Sequence, residues 1–323
     1  MKFVIEKNAF LDVLQAAINA VPNKSTIQIL NNFALRLEGN FLEVSATDLN
    51  LGIRVKVEVQ GERDGSVVIN ARKLLDLVKS LVDPSITNVT FDVQDYLATI
   101  QWSAKGKASI SGIDASDFPP FPEVSEGESL NFAASELAFL AEKTTFACST
   151  DTIRLNLNGV YLEAKDGVIS MIATDGHRLG RASIEQEGAN LTNGAIIPKK
   201  ALQLILHMVK PDATVEVRTS ATHILFNTGS TQVISKLFEG PYPNYRAVIP
   251  QNFERTVQMN TVEFQNKMRS VIAMANVRTH KVRLQIDGNN MELSASDPDV
   301  GGDSREALAV THNGEGNFSI RFD

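Results

Sequence analysis

One sequence pattern occurs three times along this chain of 323 residues. The phrase Ala46-Thr47-Asp48 returns as Ala173-Thr174-Asp175 and, more loosely, as Ala295-Ser296-Asp297. A pair of apolar residues two positions apart, typical of a short alternating strand, recurs at equal spacing. These pairs are Phe3 and Ile5, Leu130 and Phe132, and Val257 and Met259. Three copies of one unit predict three similar domains, and they argue against an enzyme with a single catalytic centre.

Composition excludes several classes of protein. No stretch approaches the roughly 20 apolar residues of a membrane-spanning helix. Cys148 is the only cysteine, so no intrachain disulfide can form, and a reduced cytoplasmic location is expected. The net charge of −7 lowers the expectation of nucleic-acid binding without excluding it, because basic residues can gather on one face.

Each unit continues from its first strand into an amphipathic helix. Apolar residues at alternating spacings of four and three positions mark one helical face. The three faces are Phe10, Leu14, Ala17 and Val21; Leu137, Ala141, Thr144 and Cys148; and Phe264, Met268, Val271 and Ala275. Asn8, Ser135 and Thr261 lie near the helix starts, and their side chains predict N-caps.

A hairpin follows in every unit, and a second helix follows in two of them. Glycine beside Asn or Asp at 39–40, 166–167 and 288–289 separates alternating runs, which is the signal of a hairpin turn. The Thr-Asp phrase ends the second strand of the hairpin. Second helices are predicted after Asn70, a suitable N-cap, and from Pro198. Closing strands are predicted at 89–93, 98–102, 214–218 and 223–226.

Proline-rich passages at 118–122 and 241–245 suit linkers between domains. We therefore predict domains at residues 1–125, 126–251 and 252–323. The third unit is expected to be incomplete, because Phe322-Asp323 corresponds to Ile69-Asn70 of the first unit. By that comparison the second helix and the closing strands, on the order of 50 residues, are absent. The fold class expected from these elements is α+β.

The repeated units resemble those of the bacterial DNA polymerase III beta subunit family, the sliding clamps. The most specific elements are residues 173–179, Leu157-Asn158-Gly159, and Ser235-Lys236-Leu237 followed by residues 240–246. The resemblance implies three tandem clamp units, each with two helices packed on antiparallel sheets, the third truncated. It implies a head-to-tail homodimeric ring around double-stranded DNA, bound without sequence specificity. No catalysis, cofactor or metal is implied.

The resemblance also implies where this chain would bind its partners. These are the DNA polymerase III alpha subunit, clamp-loader subunits and other proteins that carry short linear peptides. The residues implied for DNA binding are Lys24, Arg72, Lys73, Lys199 and Lys200. The residues implied for the peptide groove are Leu157, Thr174, Gly176, His177, Arg178, Leu179, Pro243 and Val248. The residues implied for the dimer interface are Lys105, Lys107, Ile110, Ala273, Met274, Asp299 and Asp303. The family completes its groove with a C-terminal pentapeptide that this sequence lacks, so a half-built groove is expected.

Two other functions compete with the clamp. His177 beside Asp175 would suit a hydrolase or metal enzyme, with the carboxylate orienting the imidazole. However, the five histidines form no closely spaced ligand pair, and no phosphate-binding loop or nucleophile motif is present. A repeat scaffold that binds only proteins is the third alternative, and retention on circular DNA would separate it from a clamp.

Overall fold

The computed structural model describes residues 1–124, 127–151, 153–313 and 318–322. The chain forms two compact units, Met1–Tyr242 and Pro243–Asp323. Within the described residues, no helix is long and apolar enough to cross a membrane. The first unit contains the first two sequence repeats, and the second unit contains the third.

The first repeat alternates strands with two helices. In chain order its elements are β1 (Lys2–Glu6), α1 (Lys7–Ala17), β2 (Asn32–Glu38), β3 (Phe41–Thr47), β4 (Leu51–Glu58), β5 (Gln60–Arg63), β6 (Gly65–Asn70), α2 (Ala71–Ser80), β7 (Asn88–Gln94), β8 (Leu97–Gln101) and β9 (Lys107–Ile113). Phe3, Phe10 and Phe91 are fully buried, with ring centroids 5.0–6.2 Å apart. This aromatic cluster joins β1, α1 and β7 in one core.

The second repeat has the same plan. Its elements are β10 (Glu128–Ala133), α3 (Ala134–Glu142), β11 (Gly159–Lys165), β12 (Val168–Thr174), β13 (Leu179–Glu185), β14 (Ala195–Pro198), α4 (Lys199–Met208), β15 (Thr214–Thr219), β16 (His223–Asn227) and β17 (Thr231–Lys236). Leu130 and Phe132 point into the core, as Phe3 and Ile5 do in the first repeat. The second helices and the closing strands predicted for both repeats are confirmed.

The second unit carries one helix on a smaller sheet. Its elements are β18 (Val257–Gln258), α5 (Thr261–Ile272), β19 (Val282–Asp287), β20 (Asn290–Asp297), β21 (Gly302–Ala309), β22 (Thr311–His312) and β23 (Phe318–Phe322). Val271 of α5 is fully buried against Leu284 and Leu293 of the sheet. Phe264 and Met268 are half-buried on the same helix face, so the predicted apolar face is the one that packs.

Strand order confirms the threefold repeat. The strands neighbour each other in the orders β4-β3-β2-β6, β13-β12-β11-β14 and β21-β20-β19-β23, which are equivalent position by position. Each hairpin turns through two residues, and Gly39, Gly167 and Gly288 adopt left-handed φ angles of 56°, 79° and 56° there. Glycine occupies that conformation without a Cβ clash, so the predicted turn signal has a direct structural cause.

A continuous antiparallel sheet joins the first two repeats. Strand β17 pairs with β4 from Thr231↔Val55 to Ser235↔Leu51. The closing strands of each repeat also follow equivalent orders, β1-β7-β8-β9 and β10-β15-β16-β17. Strand β9 therefore occupies in the first repeat the place that β17 occupies in the second.

The predicted N-caps at Asn8, Ser135 and Thr261 are wrong by one or two residues. Helices α1 and α3 begin directly where a strand ends, at Lys7 and Ala134, so Asn8 and Ser135 already lie in the first turn. Asn260 rather than Thr261 caps α5, because its side-chain oxygen accepts the Glu263 N–H at 3.0 Å. The cap at Asn70 is confirmed, since its Oδ1 accepts the Lys73 N–H at 3.0 Å.

Candidate functional site

The Thr-Asp phrase of the second repeat builds a hydrogen-bonded turn between β12 and β13. Asp175 Oδ1 accepts the backbone N–H groups of His177 and Arg178 at 2.9 and 3.0 Å. Thr174 Oγ1 accepts the Gly176 N–H at 3.1 Å and donates to the Arg178 carbonyl at 2.7 Å. A short polar side chain that bonds the backbone two and three residues ahead fixes such a turn. The turn holds residues 176–178 at the surface, where all three are exposed.

The first repeat makes the same turn with the same side-chain bonds. Asp48 Oδ1 accepts the N–H groups of Asn50 and Leu51 at 3.0 and 2.7 Å, and Thr47 Oγ1 donates to the Leu51 carbonyl at 3.0 Å. In the third repeat Asp297 Oδ1 accepts the Asp299 N–H at 3.0 Å. The repeated aspartate is therefore a structural residue in each copy.

The residues after the shared Thr-Asp pair differ between the two turns, and Gly176 stands where the first repeat has Leu49. The φ of Gly176 is +94°, and Leu49 occupies the equivalent place with φ +73°. A Cβ on Gly176 would meet no atom of the described chain closer than 3.7 Å, so backbone conformation rather than crowding explains glycine here. Leu49 takes the left-handed conformation despite its side chain, which is 52% exposed. At this position the second repeat therefore exposes only backbone, whereas the first repeat exposes a leucine side chain.

Arg178 is positioned by two neighbours. Its Nε donates to Asp175 Oδ2 at 2.9 Å, and its guanidinium carbon lies 6.0 Å from the centroid of the Phe146 ring. Burial raises the pKa of Asp175, but the two turn N–H groups and Arg178 together outweigh it and hold the pKa below its usual value. Asp175 is therefore a stable anion that orients Arg178 and leaves the far side of the guanidinium exposed.

The remaining predicted groove residues fall in both compact units. In the first unit Leu157 is only 5% exposed and Leu179 is half-buried, while Thr174 and His177 lie in the turn that precedes Leu179. In the second unit Pro243 is exposed and Val248 is 70% exposed. The first unit therefore joins the turn and Leu179 in one segment, whereas Pro243 and Val248 belong to the second unit.

Tyr242 explains part of the distinctive Gly-Pro-Tyr-Pro phrase. Its ring stacks on that of Tyr161 in β11, with centroids 4.9 Å apart and planes 6° from parallel. Burial raises the pKa of Tyr242 to about 12, so the phenol stays neutral at physiological pH. The phrase thus anchors the end of the first unit to its own sheet.

The predicted DNA-binding residues lie near the starts of α2 and α4. Lys24 and Lys73 are exposed. Arg72 donates to the Asn23 side chain at 3.2 Å. Lys199 is half-buried, whereas Lys200 is exposed and lies 3.1 Å from Asp48 Oδ2. The starts of both second helices therefore present cations, as the sequence predicted, but Lys200 already has an anionic partner.

Neither that ion pair nor the cavity beside it is predicted by any pattern in the sequence. A cavity of about 560 Å³ lies between the first and second repeats. Its lining includes Leu51, Leu155, Phe238, Asp48 and Lys200. Asp48 and Lys200 are separated by 152 positions and lie in different repeats, which the pairing of β17 with β4 joins.

The predicted interface residues lie in both compact units. Lys107 and Ile110 lie on β9, which pairs with β8 along residues 107–111, and Lys105 precedes the strand in a turn. Ile110 is half-buried against the core. In the second unit Ala273, Met274, Asp299 and Asp303 are exposed. Asp299 accepts a bond from Asn276 at 3.2 Å, and Asp303 lies 3.8 Å from Arg305.

The arrangement around His177 does not form an acid–base pair. The Asp175 oxygens bond the backbone of residues 177 and 178 and the Arg178 side chain, rather than the His177 ring. No group of three or more potential metal ligands occurs within the described residues.

Three family models match the chain over almost its whole length. They describe the N-terminal, central and C-terminal domains of the DNA polymerase III beta subunit and match residues 1–122, 131–244 and 246–323. The beta sliding clamp of Pseudomonas aeruginosa is 28% identical over 326 residues, which span 100% of this chain and 88% of that protein. The beta sliding clamp of Synechococcus elongatus is 30% identical over 333 residues, with the same coverage.

Solved structures agree with these sequence relationships. The crystal structure of a sliding clamp from Pseudomonas aeruginosa bound to griselimycin superposes with a TM-score of 0.92 and 27% identity. The superposition covers 100% of this chain and 87% of that one.

Proposed function

The chain belongs to the bacterial DNA polymerase III beta subunit family, the sliding clamps, and we propose that it acts as a head-to-tail homodimeric ring around duplex DNA. It is a non-catalytic accessory subunit of the polymerase and a processivity factor. A clamp tethers its partners to the template, so each rebinding step becomes intramolecular at a high effective concentration. The observation that carries the ring proposal is the junction between β17 and β4.

That junction is a template for ring closure. Strand β9 is equivalent to β17, and β21 is equivalent to β4. In the described residues β21 lies at the edge of its sheet, and β9 pairs on one side only along residues 107–111. Unpaired strand edges bind other strands readily. Pairing of β9 with β21 of a second copy would therefore repeat the internal junction and close a ring of two chains.

The proposed interface places Lys105, Lys107 and Ile110 of one copy against Ala273, Met274, Asp299 and Asp303 of the other. Met274 is 46% exposed, which supplies an apolar contact for Ile110, while lysines face acids at the rim. Rim charges favour register and steering more than affinity. Ile110→Asp is expected to give monomers in sedimentation velocity, with Val82→Asp, at an 82% exposed site, as control. A dimer that persists with Ile110→Asp at low concentration would refute this interface.

The basic residues Lys24, Arg72, Lys73, Lys199 and Lys200 are proposed to face the DNA backbone. Lys and Arg near helix starts attract phosphates without reading sequence, since both side-chain charge and helix dipole are positive there. Replacing Lys24, Arg72, Lys199 and Lys200 with Glu should abolish duplex binding and remove the salt dependence due to up to four phosphate contacts. The control replaces four basic residues on strands with Glu and so makes the same change in net charge. These residues are Arg36, Lys56, Lys165 and Arg283. Equal affinities of the two variants would count against the assignment.

The groove proposal assigns Leu157, Thr174, Gly176, His177, Arg178, Leu179, Pro243 and Val248 to short linear peptides from the polymerase alpha subunit, the clamp loader and other clamp-binding proteins. Support comes from the exposed, glycine-containing turn that leads directly into half-buried Leu179, and, in the second unit, from the exposed apolar side chain of Val248. Griselimycin, found on the clamp of Pseudomonas aeruginosa, is a suitable probe of this surface. Domains at 1–125, 126–251 and 252–323 and a cytoplasmic location complete the proposal.

A further inference from the structure

Lys200 lies in an ion pair that bridges the first two repeats. Its Nζ is 3.1 Å from Asp48 Oδ2, and the side chains are 64% and 20% exposed, respectively. The carboxylate cannot easily move away, because its other oxygen accepts the N–H groups of Asn50 and Leu51. The lysine is the mobile member of the pair, since most of its side chain lies in solvent.

Among the described residues, no ion pair is found for the corresponding cation of the first repeat. Arg72 is the second residue of α2, as Lys200 is the second residue of α4. Arg72 donates to neutral acceptors, the Pro22 carbonyl at 3.4 Å and Asn23 Oδ1 at 3.2 Å. Two equivalent basic positions therefore differ in the charge of the group that holds them.

We propose that Asp48 is a fixed internal counterion that competes with DNA phosphate for Lys200. This competition weakens each contact between Lys200 and a phosphate and shortens the lifetime of that contact. The inference rests on the proposed role of Lys200 in DNA binding. A phosphate that approaches Lys200 replaces one anion with another instead of neutralising a free cation. The exchange releases less binding free energy than a contact with a solvated lysine, because the Asp48 carboxylate is left without its partner.

Such competition suits a protein that must move along DNA. An exposed ion pair is weak, so Lys200 can leave Asp48 and return to it at low cost. Removal of the Asp48 charge should strengthen duplex binding by roughly 1.4- to 5-fold, which corresponds to the usual strength of an exposed pair. It should also steepen the dependence of affinity on salt by up to about one phosphate contact.

The test is equilibrium binding of the chain to a fluorescently labelled 30-base-pair duplex between 20 and 200 mM NaCl. Asp48→Asn keeps an oxygen acceptor for the turn, and Asp48→Ser, which retains a hydroxyl, guards against a folding defect in the first variant. Lys200→Gln and the double variant Asp48→Asn with Lys200→Gln complete a cycle. Glu239→Gln is the matched control, because it makes the same change in net charge beside Lys236, 3.7 Å away.

The inference predicts tighter binding with Asp48→Asn, no such gain when Lys200 is also Gln, and little change with Glu239→Gln. It is overturned if Lys200→Gln weakens binding while Asp48→Asn and Asp48→Ser change nothing, and the DNA role of Lys200 then stands. The inference is also overturned if Asp48→Asn still tightens duplex binding in the Lys200→Gln background, or if Glu239→Gln tightens it equally. In both cases the change in net charge alone would explain the higher affinity. If Lys200→Gln has no effect, the proposed DNA contact fails and the inference fails with it.

Discussion

Asp175 and Asp48 hold equivalent turns, which allows stability and groove binding to be separated. Asp175→Ala removes the acceptor of two backbone N–H groups and the partner of Arg178, and Asp48→Ala removes the acceptor of two N–H groups and the partner of Lys200. Loss of a side-chain acceptor of backbone N–H groups costs about 1 kcal/mol at a helix N-cap, and we take the same cost for these turns. An exposed ion pair contributes at most about 1 kcal/mol more. Each substitution should therefore destabilise the first unit by about 1–2 kcal/mol.

The assay compares thermal unfolding with binding of griselimycin. A loss of 1 kcal/mol lowers the melting temperature of a domain of this size by about 2–4 °C, so both variants should melt a few degrees early. Only Asp175→Ala disorders Arg178 and the turn at the proposed groove, so only it should weaken griselimycin binding, by roughly 5- to 30-fold. Equal binding by the two variants, or an unchanged melting temperature for both, would refute the reasoning.

Three further predictions concern packing and ionisation. Phe91→Ala should cost about 3–5 kcal/mol in urea unfolding, because Phe91 is fully buried, whereas Phe41→Ala, at a 59% exposed site, should cost little. Burial raises the pKa of Cys148 to about 11, so its thiol should resist a thiol-specific reagent at pH 8 until the protein is denatured, and rapid labelling of the native chain would contradict this. Burial, and then the charge of Lys236, lower the pKa of His223 in the folded chain. The contribution of neutral His223 to stability is therefore complete above the unfolded pKa of about 6.5, and it is lost as the pH falls below that value. His223→Gln should accordingly flatten the fall in melting temperature between about pH 7 and 5.5.

Local patterns predicted the elements whose causes are local. The hairpins follow from glycines that adopt left-handed φ angles, and the helix faces follow from the spacing of Phe10, Leu14 and Ala17, all fully buried. Helix starts were less predictable, because the last residue of the preceding strand takes the cap position before α1, α2 and α3, and only Asn70 before α2 accepts a cap bond with its own side chain. The side chains of Glu6 and Ala133 make no cap bond, although at α3 the Glu136 carboxylate accepts the Ala133 N–H at 2.9 Å.

Local sequence patterns did not predict the contacts between repeats. The Thr-Asp phrase predicted the end of a strand, but the bond from Asp48 to Lys200 depends on the register of β17 on β4. The exchange of Gly176 for Leu49 at equivalent turn positions was visible in the sequence. Its meaning needed the φ angles, because only they reveal that both residues are left-handed.

The most direct test of the clamp function is retention on DNA of different topology. The chain is assembled with a clamp loader on a nicked circular duplex, and half of the sample is then cut once with a restriction enzyme before gel filtration at high salt. Topological linkage predicts that the protein stays with the circle when salt has screened its phosphate contacts, and that it slides off the linear product. Equal retention on the circular and linear DNA, or equal loss from both, would contradict a ring that encircles the duplex.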